Sequence, residues 1–281
     1  MNLPVAPTAL RGMLNEIAVS GRERRPLVVG GARELAGVLR RELGRGAQPG
    51  AVSGGDAPEG AAVLVYVLGG EPRPEDEEAL RRARRARVPI IGVVAGPATQ
   101  DLSVPHVLAT DLVRVPAGEG FPLGAIARAI ADRLGEDGAP LAASVPLLRR
   151  AVGVRLVETF ALRNAIVGAA VFLARADLPL LALNEVRLVL RLSQAYGLGT
   201  DARERLPELA AVVAAGFGLR ETSRGLIETL RVPRFAVQAA VAYAGTRVLG
   251  EAASLRLARA GVPRADGSVR QRPVGVSPAA P

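Results

Sequence analysis

At 281 residues, 49% hydrophobic but only 3% aromatic, the chain has material for two ordinary domains, and their cores must be aliphatic. The absence of cysteine excludes disulfides and thiolate metal sites, and a single histidine, His106, excludes multi-histidine metal centres. Every cation is arginine and the formal charge is +9, all of it in one half: residues 1–144 hold 17 Arg and 17 acids, residues 145–281 hold 19 Arg and 10 acids. Such one-sidedness points to an anionic partner for the second half, either lipid headgroups or nucleic acid.

Met1 to Ala9 is short and broken by Pro4 and Pro7, with no apolar core behind a basic start. No signal peptide is expected there, nor a secreted or periplasmic location. Leu10, Met13, Leu14 and Ile17 fall at helical spacing, and Pro26-Leu-Val-Val-Gly-Gly31 is an apolar run stopped by glycine, which reads as a buried strand. Leu35, Val38, Leu39 and Leu43 space out a helix that ends at Gly44, and 45–60 reads as loop with a weak strand at Ala51-Val52. Ala61–Leu68 and Val88–Ala95 are continuously apolar, as strands covered on both faces should be. Between them, 74–87 opens on Pro74 and acids and closes on arginines, a polarity that complements a helix dipole. Short strands near Val104–Leu108 and Leu112–Val115 and a helix over 121–134 complete the alternation of strand and helix, which predicts a parallel sheet with helices on both faces.

From Pro146 onward only helices are expected, over 146–174, 179–196, 201–219, 220–231 and 233–260, followed by a disordered tail at 262–281. The predicted organisation is therefore an α/β domain at 1–144, a basic all-α domain at 145–261, and the tail.

The first half resembles an Era-like or dynamin-like small GTPase domain over most of 26–135. Leu27-Val-Val-Gly30 stands at the first strand, Leu64-Val-Tyr-Val-Leu-Gly with Glu75-Asp76-Glu77 at the following strand and acidic helix start, and Val88–Val94 at the guanine-motif strand. Val113–Gly120 is similar to the loop before the last helix. The phosphate chemistry of that family is missing. In a G-x-x-x-x-G-K-[ST] loop, backbone amides cradle the phosphates, the Lys neutralises them and the hydroxyl holds Mg²⁺. Counted from Gly30, the last three places hold Leu35-Ala36-Gly37, and the base-reading motif reads Ala95-Gly96-Pro97-Ala98. With no lysine in the chain a shifted alignment does not restore the loop. The expectation is a degenerate P-loop-GTPase-like sheet with no catalytic residue, metal, cofactor or nucleotide. Gly30, Gly31 and Arg33 remain as anion-binding candidates at a helix N-terminus, against the simpler reading of a tight turn.

The second half resembles the domain-of-unknown-function family 697 over about 150–261. The residues that carry this are Ala176-Asp-Leu-Pro-Leu-Leu181, Leu190-Arg-Leu-Ser-Gln-Ala-Tyr-Gly197, Gly216-Phe-Gly-Leu-Arg220 with Arg224, and Ala242-Tyr-Ala-Gly-Thr-Arg-Val-Leu-Gly250. That resemblance implies membrane association. The charge-free runs at 164–174, 178–184, 209–219 and 235–246 are 7 to 12 residues long, short of a span. Small residues four apart (Ala236, Ala240, Ala244; Ala211, Ala215) allow close helix approach, and Arg149, Arg150, Arg155, Arg163 and Arg175 flank the runs, where they can snorkel to headgroups. Asp177 reads as a helix cap and His106 as structural.

Three functions follow. The first is a non-catalytic membrane-associated adaptor at the bacterial inner membrane with its N-terminal domain in the cytoplasm, contacting lipid through 145–261 and a protein partner or a second copy elsewhere. The alternative is a soluble cytoplasmic α/β protein that binds a small molecule or anion, with or without catalysis, and carries a regulatory bundle. Nucleic-acid binding ranks third, since the arginines lack interleaved aromatics.

Overall fold

The structure, a computed structural model, describes residues 25–96, 103–116, 118–174, 178–198 and 233–260, together with residues 12, 15–17 and 19. The helices expected over 201–219 and 220–231, the tail 262–281 and Asp177 lie outside the described residues.

Five strands, β1 (Leu27–Gly31), β2 (Val52–Gly54), β3 (Val63–Leu68), β4 (Ile90–Ala95) and β5 (Leu112–Val115), form one sheet in the order β2-β1-β3-β4-β5. Every pairing is parallel; Gly30 lies opposite Tyr66, and Tyr66 opposite Gly92. The residues of β3 are buried throughout, which is why that segment is apolar without alternation. α1 (Arg33–Leu43) joins β1 to β2, an irregular segment joins β2 to β3, α2 (Pro74–Arg85) joins β3 to β4, a 3₁₀ turn at Ala109–Asp111 precedes β5, and α3 (Leu123–Leu134) follows it. On one face α2 covers Val28, Leu64, Tyr66, Leu68, Ile90 and Val94 with Ala79, Leu80 and Ala83.

No strand forms at Val104–Leu108. Pro105 has no N–H to give a ladder, His106 adopts φ 66, and the Val107 N–H bonds the Val104 carbonyl across a turn at 3.3 Å. The residues reach the sheet only at Leu112.

After α3 come α4 (Gly138–Ser144), α5 (Arg149–Ala174), α6 (Leu178–Ala195) and α7 (Arg234–Ala260). α5 runs antiparallel to both α6 and α7: Gly153 lies near Leu192, Tyr196 and Ser254, and Gly168 near Ala242. The apolar cluster on the second sheet face is continuous from Val29, Val65 and Ile91 through Ile126 and Ile130 to Leu148, Leu156, Phe160, Leu188 and Leu192. Across the three long helices the buried Asn164 gives its Nδ2–H to Thr246 Oγ1 and receives one from Asn184, each at 2.9 Å. The close approach of α5 and α7 is made by Gly153, Gly168 and Gly250, with a Cβ on Gly250 falling 2.5 Å from Val157. Of the alanines expected in this role, Ala240 and Ala244 are exposed instead. Among the described residues no helix is long and apolar enough to cross a membrane.

Candidate functional site at the β1–α1 turn

β1 has β2 on one side and β3 on the other, so the chain switches direction across the sheet at the carboxyl end of β1. That is the place where open parallel sheets leave a crevice. The turn there is abrupt: Gly31 ends the strand with φ 97, Ala32 alone intervenes, and α1 starts at Arg33. The positive φ and the closeness of β3, whose Val67 carbonyl accepts the Ala32 N–H at 2.9 Å, both require glycine at position 31. Leu35-Ala36-Gly37 consequently lies within α1, and the Ala36 N–H is already given to the Ala32 carbonyl at 2.8 Å. No loop remains to wrap a phosphate.

The sequence reading did not single out Asp56. It follows β2, where Gly55 donates its N–H to the Val29 carbonyl at 3.1 Å, and its Oδ1 accepts the Gly31 N–H at 3.1 Å. An acidic side chain of the chain itself thus sits on the amide that an anionic ligand would use. Gly30 makes room for it: a Cβ there would stand 2.7 Å from Asp56 Oδ1 and 3.3 Å from the Tyr66 ring. The Tyr66 hydroxyl donates to Asp76 Oδ1 at 2.9 Å, and the Arg73 N–H caps α2 on Asp76 Oδ2 at 2.8 Å. Burial first, then the Asp76 bond and the carboxylates of Asp76, Asp56 and Glu75, push the Tyr66 phenol above its ordinary value, so it stays protonated.

Beside this turn lies a half-open cleft of about 260 Å³ whose lining includes Gly30, Gly31, Arg33, Arg40, Gly54 and Asp56. Arg40 arches over Gly54, where a Cβ would meet its Nη1 at 2.8 Å. The three residues expected as anion candidates, Gly30, Gly31 and Arg33, are therefore brought together, with Arg40 as a second cation and Asp56 as an internal competitor. Glycine backbone and two guanidiniums favour an anion, while the carboxylates around Tyr66 oppose a highly charged one. Nothing in the arrangement pairs a nucleophile with a base. Among the described residues no group of three or more His, Cys, Asp or Glu side chains is placed to hold a metal.

His106 belongs to the opposite end of the sheet, where α2 feeds into β4. Its Nδ1 lies 3.3 Å from Arg84 Nη1, and its buried Nε2 has no hydrogen-bond partner among the described residues. Of the arginines expected at the margins of the apolar runs, Arg149 donates to the Ala142 and Ala143 carbonyls, Arg155 pairs with Asp132 at 3.4 Å and Arg163 with Glu136. Comparison with protein-family models, with curated proteins and with solved structures gives no match.

Proposed function

We propose that this protein is a non-catalytic adaptor at a membrane surface, in which a GTPase-like α/β domain without a nucleotide grip presents a surface to a protein partner or second copy while 145–261 contacts lipid. The observation that carries the non-catalytic half is the Asp56 carboxylate on the Gly31 amide, in a turn too short to enclose a phosphate. Lipid contact is supported by aliphatic side chains left more than half exposed on the helical surface, Val154, Leu162 and Ile166 on α5 and Val248 and Leu255 on α7, in a segment with a net arginine excess. The resemblance to the membrane-associated family is consistent with it, and the proposed location is the cytoplasmic face of the bacterial inner membrane.

Two measurements test this. Fractionation of cells with salt, carbonate and detergent washes should recover the protein with membranes, and recovery wholly in the soluble fraction at every salt concentration refutes the lipid role. Calorimetry of the purified protein with GTP and Mg²⁺ should give no binding heat.

A second reading is favoured by one feature, the cleft where Arg33 and Arg40 face a glycine floor. A small anion held there makes the α/β domain a sensor and not a passive scaffold. Calorimetry with inorganic phosphate and small carboxylates, repeated on Arg33→Ala and Arg40→Ala, decides it: binding that both substitutions weaken establishes the sensor, and a panel without heat removes it.

A further inference from the structure

We infer that the α/β domain lies against an anionic lipid bilayer with the amino ends of its strands, held there by arginines at the feet of α1 and α2. The inference rests on the membrane reading above and adds to it a surface outside 145–261 and an orientation. Residues 1–144 are neutral by count, 17 Arg against 17 acids, but not by place. α1 leaves the carboxyl end of β1 and returns to the amino end of β2, where the Leu27 N–H bonds the Ala51 carbonyl at 2.9 Å. α2 makes the same descent from β3 to β4 on the other face of the sheet. Arg41 and Arg45 therefore stand at the foot of α1, Arg82, Arg85 and Arg87 at the foot of α2, and Arg25 at the entry to β1, all of them exposed. Glu42 and Glu59 are the acids beside them. At the carboxyl ends the balance reverses: Glu34, Asp56, Glu71, Glu75, Asp76 and Glu77 stand against Arg33, Arg40 and Arg73.

Arg81 pairs with Glu78 and Arg84 faces His106, but among the described residues no carboxylate pairs with Arg41, Arg45, Arg82, Arg85 or Arg87. A helix C-terminus attracts cations, which accounts for one or two arginines in a last turn. It does not account for Arg87. The Val88 N–H bonds the Ala83 carbonyl and the Arg87 N–H the Arg84 carbonyl, a helix ending that places residue 87 at φ 56, where glycine fits at least cost. A guanidinium stands there against the preference of the backbone. The occupant must therefore be anionic, and its shape follows from the placement. The arginines are gathered at one end of the domain from two helices on opposite faces, so they meet a plane of headgroups together. α2 has its apolar side packed on the sheet and no aromatic residue stands among the arginines, which leaves neither a free helix for a nucleic-acid groove nor a surface for stacking bases. An anionic bilayer attracts this end and repels the acidic one, so the crevice beside Gly31 and Asp56 faces away from the membrane. Electrostatic contact here and aliphatic contact through the helices supply the two signals that stable peripheral binding takes.

The test uses the full chain and co-sedimentation with vesicles of phosphatidylcholine alone and of phosphatidylcholine mixed with phosphatidylglycerol. Arg41→Gln with Arg45→Gln, and Arg82→Gln with Arg85→Gln, alter only exposed side chains, and circular dichroism confirms the fold. Each pair should weaken binding to the phosphatidylglycerol vesicles, by about fivefold per arginine and about 25-fold per pair, while Arg73→Gln at the acidic end leaves it within about twofold. Arg87→Gly should raise the melting temperature and yet lower binding by about fivefold, a combination that a purely structural arginine does not give. Because the chain has no cysteine, a fluorophore can be placed singly at Ala86→Cys or Glu77→Cys. A quencher carried on the lipid headgroups should dim the label at 86 and spare the one at 77. Folded pairs that bind like wild type, or equal quenching at the two positions, overturn the inference while wild-type binding keeps the membrane reading. If wild type ignores the anionic vesicles, both fall together. Duplex DNA binding that the same pairs abolish, with vesicle binding intact, also overturns it and indicates a nucleic-acid partner.

Discussion

A methyl group on Gly30 would meet the Gly55 carbonyl at 2.8 Å as well as the Asp56 carboxylate, and the carbonyl belongs to backbone pinned on β1. Gly30→Ala therefore forces β2 away from β1 and not merely a side chain aside, and should cost about 1–3 kcal/mol. Adding Asp56→Ala should recover only part of the loss in thermal midpoint, because the carbonyl remains; full recovery means the clash is with the carboxylate alone. Glu185 poses a different residue-level problem. Its side chain is buried on α6 without a hydrogen-bond partner among the described residues, and burial pushes the carboxyl up from its ordinary 4.5 to about 7. A raised folded-state value means the stability is complete below pH 4.5 and is lost as pH rises through 7. The loss approaches about 3 kcal/mol when ionisation is forced in the folded state. Glu185→Gln keeps the shape without the charge, so its melting temperature should match wild type near pH 4.5 and exceed it at pH 8. Parallel curves across that range would show that Glu185 reaches solvent.

At the scale of elements, the α5–α7 seam depends on absent side chains. A Cβ on Gly250 lies 2.5 Å from Val157, and one on Gly168 lies 3.1 Å from Ala242 and from the Gln238 carbonyl. Gly250→Ala should destabilise by about 1–3 kcal/mol through overpacking, and Val157→Ala by its own cavity cost. The double substitution should cost less than the sum by about 1 kcal/mol, as coupled neighbours do. Denaturant titration of the four proteins measures this, and strict additivity would show that the seam can spread. These elements also show what the sequence exposes. Val63–Leu68 and Ile90–Ala95 are legible because burial on both faces demands unbroken apolar runs, and α2 is legible from its acidic start and arginine end. The seam is not, since alanines four apart and glycines at 153, 168 and 250 are equally small and only packing decides which face inward. The Gly30-Gly31 turn is readable as a turn. Asp56 is not readable as its occupant, because 25 residues separate it from Gly31 and only the placement of β2 beside β1 brings them together. The expectation at Val104–Leu108 errs for a local reason: the apolar content is there, but Pro105 removes a ladder donor.

For the whole molecule, the arginine excess of the second half draws acids from the first. Arg155 takes Asp132, Arg163 takes Glu136, and Arg187 and Arg191 share Glu16 with Glu136. The apolar cluster crosses the same line, from β3 and β4 through α3 into α5 and α6. Sheet and helices thus share both their buried surface and their charge balance, so opening one should expose the other. Leu156 sits in α5 with its side chain fully buried in that shared cluster, and Leu156→Ala should cost about 2–5 kcal/mol. If the molecule unfolds as one unit, hydrogen exchange at the β3 amides should accelerate in this variant by the same free energy as exchange in α5, although no residue of the sheet is altered. Calorimetry should give a single transition whose van't Hoff and calorimetric enthalpies agree. Protection of β3 that persists while α5 opens would mean that the sheet stands without the helices, and that the shared cluster is contact and not common core.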